Sequence, residues 1–174
     1  MKMTSNYFSG FCLKDEKELF SSYLIENDFT LQGFSYGCIE AFSKALVSEK
    51  RIDLLQLFSP AFFQSKNKKF HRLQLMYYKK NKKSYVLNFI KNIASPSSYD
   101  CSSYIKEGTY EELETLLSYE WKKENLEKLL GKGTKIEVYL GEKDEIIQSK
   151  ETMDFFKEYA SVYYIKNAGH ILKT

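Results

Sequence analysis

Nowhere in the 174 residues is there an apolar run long enough to cross a bilayer. The longest stretch without a charged residue, Leu54 to Ser65, contains Ser, Pro and Gln, whereas a spanning helix needs about 18 apolar residues or more. The chain is therefore expected not to span a membrane. The amino terminus carries Lys2 but no apolar block ahead of the charged run Lys14-Asp15-Glu16-Lys17-Glu18, so the pattern of a secretory signal is missing and a cytoplasmic location is expected. Cysteine is scarce. Cys12, Cys38 and Cys101 form no CxxC pair and no Cys/His cluster, which argues against a disulfide framework or a zinc site and leaves reduced thiols. Histidine is scarcer still, with only His71 and His170, so chemistry that needs an imidazole must use one of these two.

Acidic residues are missing from one whole segment. Between Leu54 and Tyr99 there are nine basic side chains and no Asp or Glu, in a chain whose formal net charge is only +3. The rest of the chain is therefore net acidic, and the overall balance is too close to neutral for a general nucleic-acid binder. What is present in quantity is apolar and aromatic surface. Hydrophobic residues make up 43% and aromatics 16% of the chain, too apolar for disorder. At this length folding buries roughly two-thirds of the unfolded surface, enough for one domain over residues 1–174 and too little for two.

Short β-type runs alternate with charged amphipathic stretches, the pattern of an α/β fold with helices on a mostly parallel sheet. Strands are expected at Thr4–Phe8, Phe29–Phe34, Leu54–Phe58, Lys135–Leu140 and Ser161–Ile165, each ending in Gly, Ser, Pro or Asn. Helices are expected over Asp15–Ile25, over Cys38–Ser48 with Ile39, Phe42, Ala45 and Leu46 as the apolar stripe, and over Tyr110–Leu130. About 75 residues separate the third strand from the fourth with no convincing strand among them. They are expected to form a helical insertion over residues 61–130, above the sheet, broken at Ser95-Pro96-Ser97-Ser98 and closed at Lys132 and Gly133.

Gly33-Phe34-Ser35-Tyr36-Gly37 fits G-x-S-x-G, directly after a strand and opening a helix, where that motif places a serine on a sharp turn. The pentapeptide alone also fits a plain Gly-rich turn. A serine nucleophile needs a base, and the base needs an acid to orient it. Gly141-Glu142-Lys143-Asp144 follows the fourth strand and Gly169-His170 follows the fifth, so Ser35, Asp144 and His170 fall in three loops at the carboxyl ends of strands, where open α/β sheets bind ligands. Glu142 and Glu145 flank Asp144 and are alternatives to it. His71 has neither a strand before it nor an acid beside it and is expected on the surface.

In the motifs Gly33–Gly37, Gly141–Asp144 and Gly169-His170, and in their order, the chain resembles the α/β-hydrolase superfamily. Ser9-Gly10-Phe11-Cys12-Leu13 looks like the His-Gly-Trp-Gly-Leu type of loop that supplies an oxyanion amide in such enzymes, with Ser9 in the place of the histidine. By that resemblance the backbone N–H groups of Phe11 and Tyr36 would hold the oxyanion. Only 24 residues separate Gly10 from Ser35, so a strand-helix pair usual in the superfamily is expected to be missing, together with two opening strands and the closing helix. The fold expected is a reduced α/β-hydrolase of about five strands with a basic helical lid.

In being so short, and in its aromatic, lysine-rich insertion, the chain resembles the BioV-type pimeloyl-acyl-carrier-protein methyl ester esterases of bacterial biotin synthesis. The resemblance implies a serine carboxylesterase that needs no cofactor or metal and takes an acyl carrier protein as partner. Such carriers are acidic, so the basic lid is the candidate docking surface, through Lys66, Lys68, Lys69 and Arg72 and, further on, Lys79, Lys80, Lys82 and Lys83. A solvated face is the alternative for that tract, and RNA or an anionic membrane surface are others. The interleaved aromatics Phe62, Phe63 and Phe70, with Tyr77, Tyr78, Tyr85 and Phe89, line an acyl channel or simply pack the lid. For the whole chain the alternatives are another serine esterase or thioesterase, or a binding protein on a decayed hydrolase scaffold.

Overall fold

The computed structural model of the chain describes residues 6–174. Five parallel strands form a single sheet: β1 (Tyr7–Phe8), β2 (Thr30–Phe34), β3 (Leu54–Phe58), β4 (Lys135–Gly141) and β5 (Ser161–Ile165), each paired with the next in sequence. The expected strands are found; Thr4 and Ser5, the start expected for the first, lie outside the described residues. Six α-helices accompany the sheet among the described residues: α1 (Tyr36–Val47), α2 (Lys68–Lys80), α3 (Lys82–Ala94), α4 (Tyr110–Ser118), α5 (Lys123–Gly131) and α6 (Ser149–Phe156). None is long and apolar enough to cross a membrane.

Strand periodicity sorts the core into two layers. Leu31, Leu55, Leu57, Ile136, Val138 and Leu140 are buried in one cluster with Ile39, Phe42 and Ala45 of α1, Leu126 and Leu129 of α5, and Phe156 of α6. Their alternates Phe34, Phe58 and Tyr139 are buried in a second cluster with Leu19, Phe20, Ile93, Ile171 and Leu172. The register sets Phe34 beside Phe58 and Phe58 beside Tyr139. The residues that follow, Ser35 and Ser59, continue the ladder by donating their N–H groups to Phe58 O (2.9 Å) and Tyr139 O (2.8 Å). This brings the carboxyl ends of β2, β3 and β4 to one line.

The second layer departs from expectation, because residues 15–25 do not form a helix. Only Glu16–Phe20 makes a 3₁₀ turn, after Asp15 in the left-handed conformation (φ 58°). The chain then crosses the sheet as a loop whose backbone is satisfied by side chains of the strands beneath it. Gln56 Nε2 donates to Tyr23 O (2.9 Å), Gln56 Oε1 accepts from Ile25 N (2.9 Å), and Gln32 Nε2 donates to Ile25 O (3.0 Å). Gln32 and Gln56 are themselves buried and joined to one another at 2.9 Å.

The helix expected over Tyr110–Leu130 is two helices. Its periodicity is unbroken, but Trp121 turns inward between α4 and α5, buried at 2% exposure, with its indole N–H donating to Ala61 O (2.8 Å) and its backbone N–H to Gln64 Oε1 (2.7 Å). Two hydrogen bonds and a buried indole outweigh the few helical bonds lost. The expected insertion over 61–130 is divided accordingly. α2 packs against α3 and α4, whereas α5 lies against α1 and β4 as part of the layer flanking the sheet. α2 and α3 are separated at Asn81, whose Oδ1 caps α3 by accepting from Ser84 N (3.0 Å).

Candidate active site

Ser35 stands between β2 and α1 with φ 52° and ψ −113°. A non-glycine residue in such a region costs about 1–3 kcal/mol and persists only where its surroundings enforce it. The flanking glycines allow that enforcement. A Cβ at Gly33 would collide with the Gly37 carbonyl, and one at Gly37 with the Phe8 carbonyl, so strand, turn and helix meet backbone to backbone. The turn directs the Ser35 hydroxyl to His170, with Oγ 3.0 Å from Nε2. His170 Nδ1 lies 2.6 Å from Asp144 Oδ2, and both side chains are fully buried.

Asp144 is held in turn by its own loop, since Oδ1 accepts from the N–H groups of Ile146 (2.7 Å) and Ile147 (3.0 Å). With the carboxylate accepting from Nδ1–H, the imidazole lone pair sits on Nε2 and faces the serine O–H. The alternatives to Asp144 are engaged elsewhere. Glu142 accepts from Asn167 N (2.9 Å) and Glu145 from the Ser95 hydroxyl (2.8 Å). His71 is remote from this chain of bonds, its ring nitrogen 3.2 Å from Phe63 O.

Ser35, Asp144 and His170 are thus brought together as expected. Phe11 lines the same cavity as Ser35, and Tyr36 opens α1 directly after it. Among the described residues neither of these two N–H groups has a protein acceptor. Cys38 lies one turn into the helix, completely buried, and burial pushes its thiol well above the ordinary range. Burial likewise pushes Cys12 up to about 11. Both therefore stay as thiols and offer no competing nucleophile.

Two residues that sequence reasoning passed over hold the site. Ser59, at φ 44°, donates its hydroxyl to the His170 carbonyl at 2.6 Å and so ties the end of β3 to the histidine loop. Glu16 is fully buried, and its Oε1 accepts from Gly10 N (2.8 Å) and from the Tyr7 hydroxyl (3.2 Å). It supports the loop over Ser9–Leu13 from within the chain. Its other oxygen, Oε2, is buried and has no hydrogen-bond partner among the described residues, a cost in stability set against the support that Oε1 gives the loop. The only sequence signal was an acid among other charges at the start of an expected helix, which reads as surface.

Replacing Glu16 by Ala leaves the Gly10 N–H unsatisfied and the loop free to move. For an esterase that uses the Phe11 N–H as an oxyanion donor, turnover is expected to fall by about tenfold or more, as when one such donor is misplaced, with little change in KM. Glu16→Gln, which keeps an acceptor oxygen, is expected to recover most of that loss. Steady-state kinetics on any accepted ester checks this, and equal damage by both variants would deny the loop-holding role.

The cavity above Ser35 encloses about 600 Å³ and is roofed by α2, α3 and α4. The eight basic residues singled out in the lid are not equivalent. Lys82 pairs with Glu107 at 2.6 Å, Lys79 lies over the Tyr110 ring at 4.4 Å, and Lys66 over Phe70 at 5.6 Å. Lys80 lines the cavity. Lys68, Lys69, Arg72 and Lys83 are exposed and enter no ion pair among the described residues.

No protein-family model matches the sequence, and no curated protein matches it. Solved structures do. MenH from S. aureus superposes with a TM-score of 0.60 at 14% identity, over 99% of this chain and 90% of that one. A carboxylesterase from the ammonia-oxidizing thaumarchaeon Nitrososphaera gargenis gives 0.57 at 14% identity over 90% of this chain, and the naproxen esterase (carboxylesterase NP) from Bacillus subtilis gives 0.54 at 18% over 90%. The chain spans 62% and 57% of the lengths of these two esterases. Likeness at such identities shows the fold, and it is an α/β-hydrolase fold reduced to five parallel strands.

Proposed function

We propose that the chain is a serine carboxylesterase, with Ser35 as nucleophile, His170 as general base and acid, and Asp144 as the group that orients the imidazole. The observation that carries this is the unbroken line of hydrogen bonds from Ser35 Oγ through His170 to Asp144, at 3.0 Å and 2.6 Å, at the floor of a cavity. Ser35 Oγ adds to the ester carbonyl carbon while its proton passes to His170 Nε2. The oxyanion that forms is held by the Phe11 and Tyr36 N–H groups and the amino terminus of α1. Collapse breaks the carbon–oxygen bond, and the leaving alkoxide takes the proton from His170 and departs as the alcohol. Water, deprotonated by His170, then cleaves the acyl-enzyme and restores Ser35.

The substrate we propose is the methyl ester of pimeloyl-acyl carrier protein, cleaved to methanol and the free distal carboxylate. The resemblance of the chain to enzymes of that kind suggests it, and the lid supports an acidic partner. α2 and α3 both begin with paired lysines, Lys68-Lys69 and Lys82-Lys83, and neither has an acid in its first turn. Cations at a helix amino terminus oppose the helix dipole, so this placement costs the free protein some stability while it favours an anionic partner.

Incubation with the carrier-bound ester tests both levels, with release of methanol and carboxylate followed by mass. The wild type is expected to convert it. Conversion of small esters alone would move the substrate and keep the chemistry, and absence of both turnover and fluorophosphonate labelling in folded protein would overturn the enzyme. Reversing Lys68, Lys69 and Arg72 to Glu is expected to raise KM for the carrier-bound ester about tenfold at low salt and to leave a small ester unchanged, with the difference shrinking as salt is added. An equal change for both esters would remove the lid as a docking surface.

A further inference from the structure

The turn that presents Phe11 is not a comfortable one for its sequence. Leu13 N donates to Gly10 O (3.1 Å), which closes a turn with Phe11 and Cys12 at its corners, and Cys12 stands in the left-handed region at φ 59°. A turn with a positive φ at its third residue calls for glycine there. With a cysteine in that place the turn persists only where its surroundings enforce it. Glu16 fixes one end, at Gly10 N.

The rest is fixed from the lid, by the connection between α3 and α4. Lys106 N donates to Cys12 O (2.9 Å) and Lys14 N to Tyr104 O (2.8 Å), so Leu13 and Ile105 face one another in an antiparallel bridge. Gly108 then lies against the turn itself. A Cβ there would stand 2.5 Å from Cys12 Sγ and 2.8 Å from the Phe11 ring. Tyr78 of α2 sets the position of this glycine, donating its hydroxyl to Gly108 O (2.8 Å) while its own ring packs on Phe11 with centroids 6.3 Å apart. Next along, Thr109 opens α4 with a capping box, its hydroxyl accepting from Glu112 N (3.1 Å) and Glu112 Oε2 accepting from Thr109 N (2.8 Å). The Phe11 ring also meets Phe89 of α3, edge to face at 5.6 Å. The residue that offers the amide is thus clasped by the elements that roof the cavity.

We propose that the lid is a working part of the oxyanion hole, with Tyr78 and Gly108 as positioning residues that seat the Gly10–Leu13 turn so that the Phe11 N–H points at the reacting oxygen. This rests on the esterase reading of the site and on Phe11 as a donor. An amide stabilises the oxyanion only when it is already aimed at the place where the charge will form. A shift of about 1 Å in such a group can cost about a hundredfold in rate. Neither Tyr78 nor Gly108 lines the cavity among the described residues, so their influence on the reaction passes through the turn. Loosening the lid therefore slows the chemical step and not only binding.

Two variants test this. Tyr78→Phe deletes one hydroxyl and keeps the ring, and Gly108→Ala acts through contact alone, because Gly108 is outside the left-handed region. Cleavage of a short-chain 4-nitrophenyl ester is read beside the affinity for two ligands of one chain, a trifluoromethyl ketone and its carbinol. Ser35 Oγ adds to the ketone carbon, its proton passes to His170, and the ketone oxygen becomes an oxyanion in the hole. The carbinol has no carbonyl to attack and reads ground-state binding. Tyr78→Phe is expected to lower kcat about fivefold and Gly108→Ala about a hundredfold, with KM within about twofold of wild type. Ketone affinity is expected to fall with kcat, and carbinol affinity to stay. Equal loss for ketone and carbinol, or a raised KM with kcat kept, overturns the positioning role and leaves the esterase standing. If Gly108→Ala does not fold, Tyr78→Phe decides by the same comparison. A wild type that cleaves no ester and takes up no ketone overturns the esterase and this role together.

Discussion

Ser35→Ala is expected to lower kcat by about four orders of magnitude or more, because the residues of a triad act as a unit and removal of the proposed nucleophile leaves only binding and the proposed oxyanion amides. Stability is expected to change by less than about 1 kcal/mol. The hydroxyl loses its bond to His170 Nε2, but alanine inherits the strain of φ 52°. Ser35→Gly separates the two quantities. Glycine adopts that conformation freely, so the glycine variant is expected to be as inactive as the alanine variant and yet more stable than wild type by about 1–3 kcal/mol. Denaturant unfolding beside an ester assay reads both, and a glycine variant no more stable than wild type would mean that the turn stores no strain.

The second large effect is on folding. Gly37→Ala places a methyl group where it meets the carbonyl of Phe8 and, at 2.6 Å, the Ser9 oxygen. Both are backbone atoms, so no side chain can turn aside. Either β1 leaves β2 or α1 moves off the sheet, and a cost above about 3 kcal/mol is expected, a large share of the 5–15 kcal/mol that holds a domain together. Turnover should fall with it, since the Ser9–Leu13 loop starts from the strand that is displaced. Melting by circular dichroism checks the first part, and a variant that melts like wild type would show that the approach of α1 to β1 is loose.

Much of this architecture could be read from the residues because backbone and chemistry coincide there. Gly33-Phe34-Ser35-Tyr36-Gly37 carries its own explanation, since two glycines around a serine are needed only where a strand turns straight into a helix. Asp144 and His170 were legible because short apolar runs end just before them. Glu16 was not legible, because a buried acid and a solvated acid look alike until the fold brings Gly10 and Tyr7 to the carboxylate. Residues 15–25 failed as a helix for a related reason. Leu19, Phe20, Tyr23 and Leu24 do fall at helical spacing, but the hydrogen bonds that win come from Gln32 and Gln56, distant in sequence and invisible to any local pattern. Tyr110–Leu130 misled through Trp121, whose place in the core is a tertiary fact.

The glutamines also bear on how a sheet can live with fewer layers. Gln32 and Gln56 answer the main chain of a passing loop, a task that a packed helix never sets, because a helix closes its own hydrogen bonds. Laying a helix on this face would therefore strand two buried amides, each costing about 1–3 kcal/mol, before a single new contact formed. Enlarging the protein on that side by grafting would first require apolar residues at both positions, and those same exchanges would unseat the loop that covers the face now. The loop over this face and the two glutamines beneath it therefore stand or fall together.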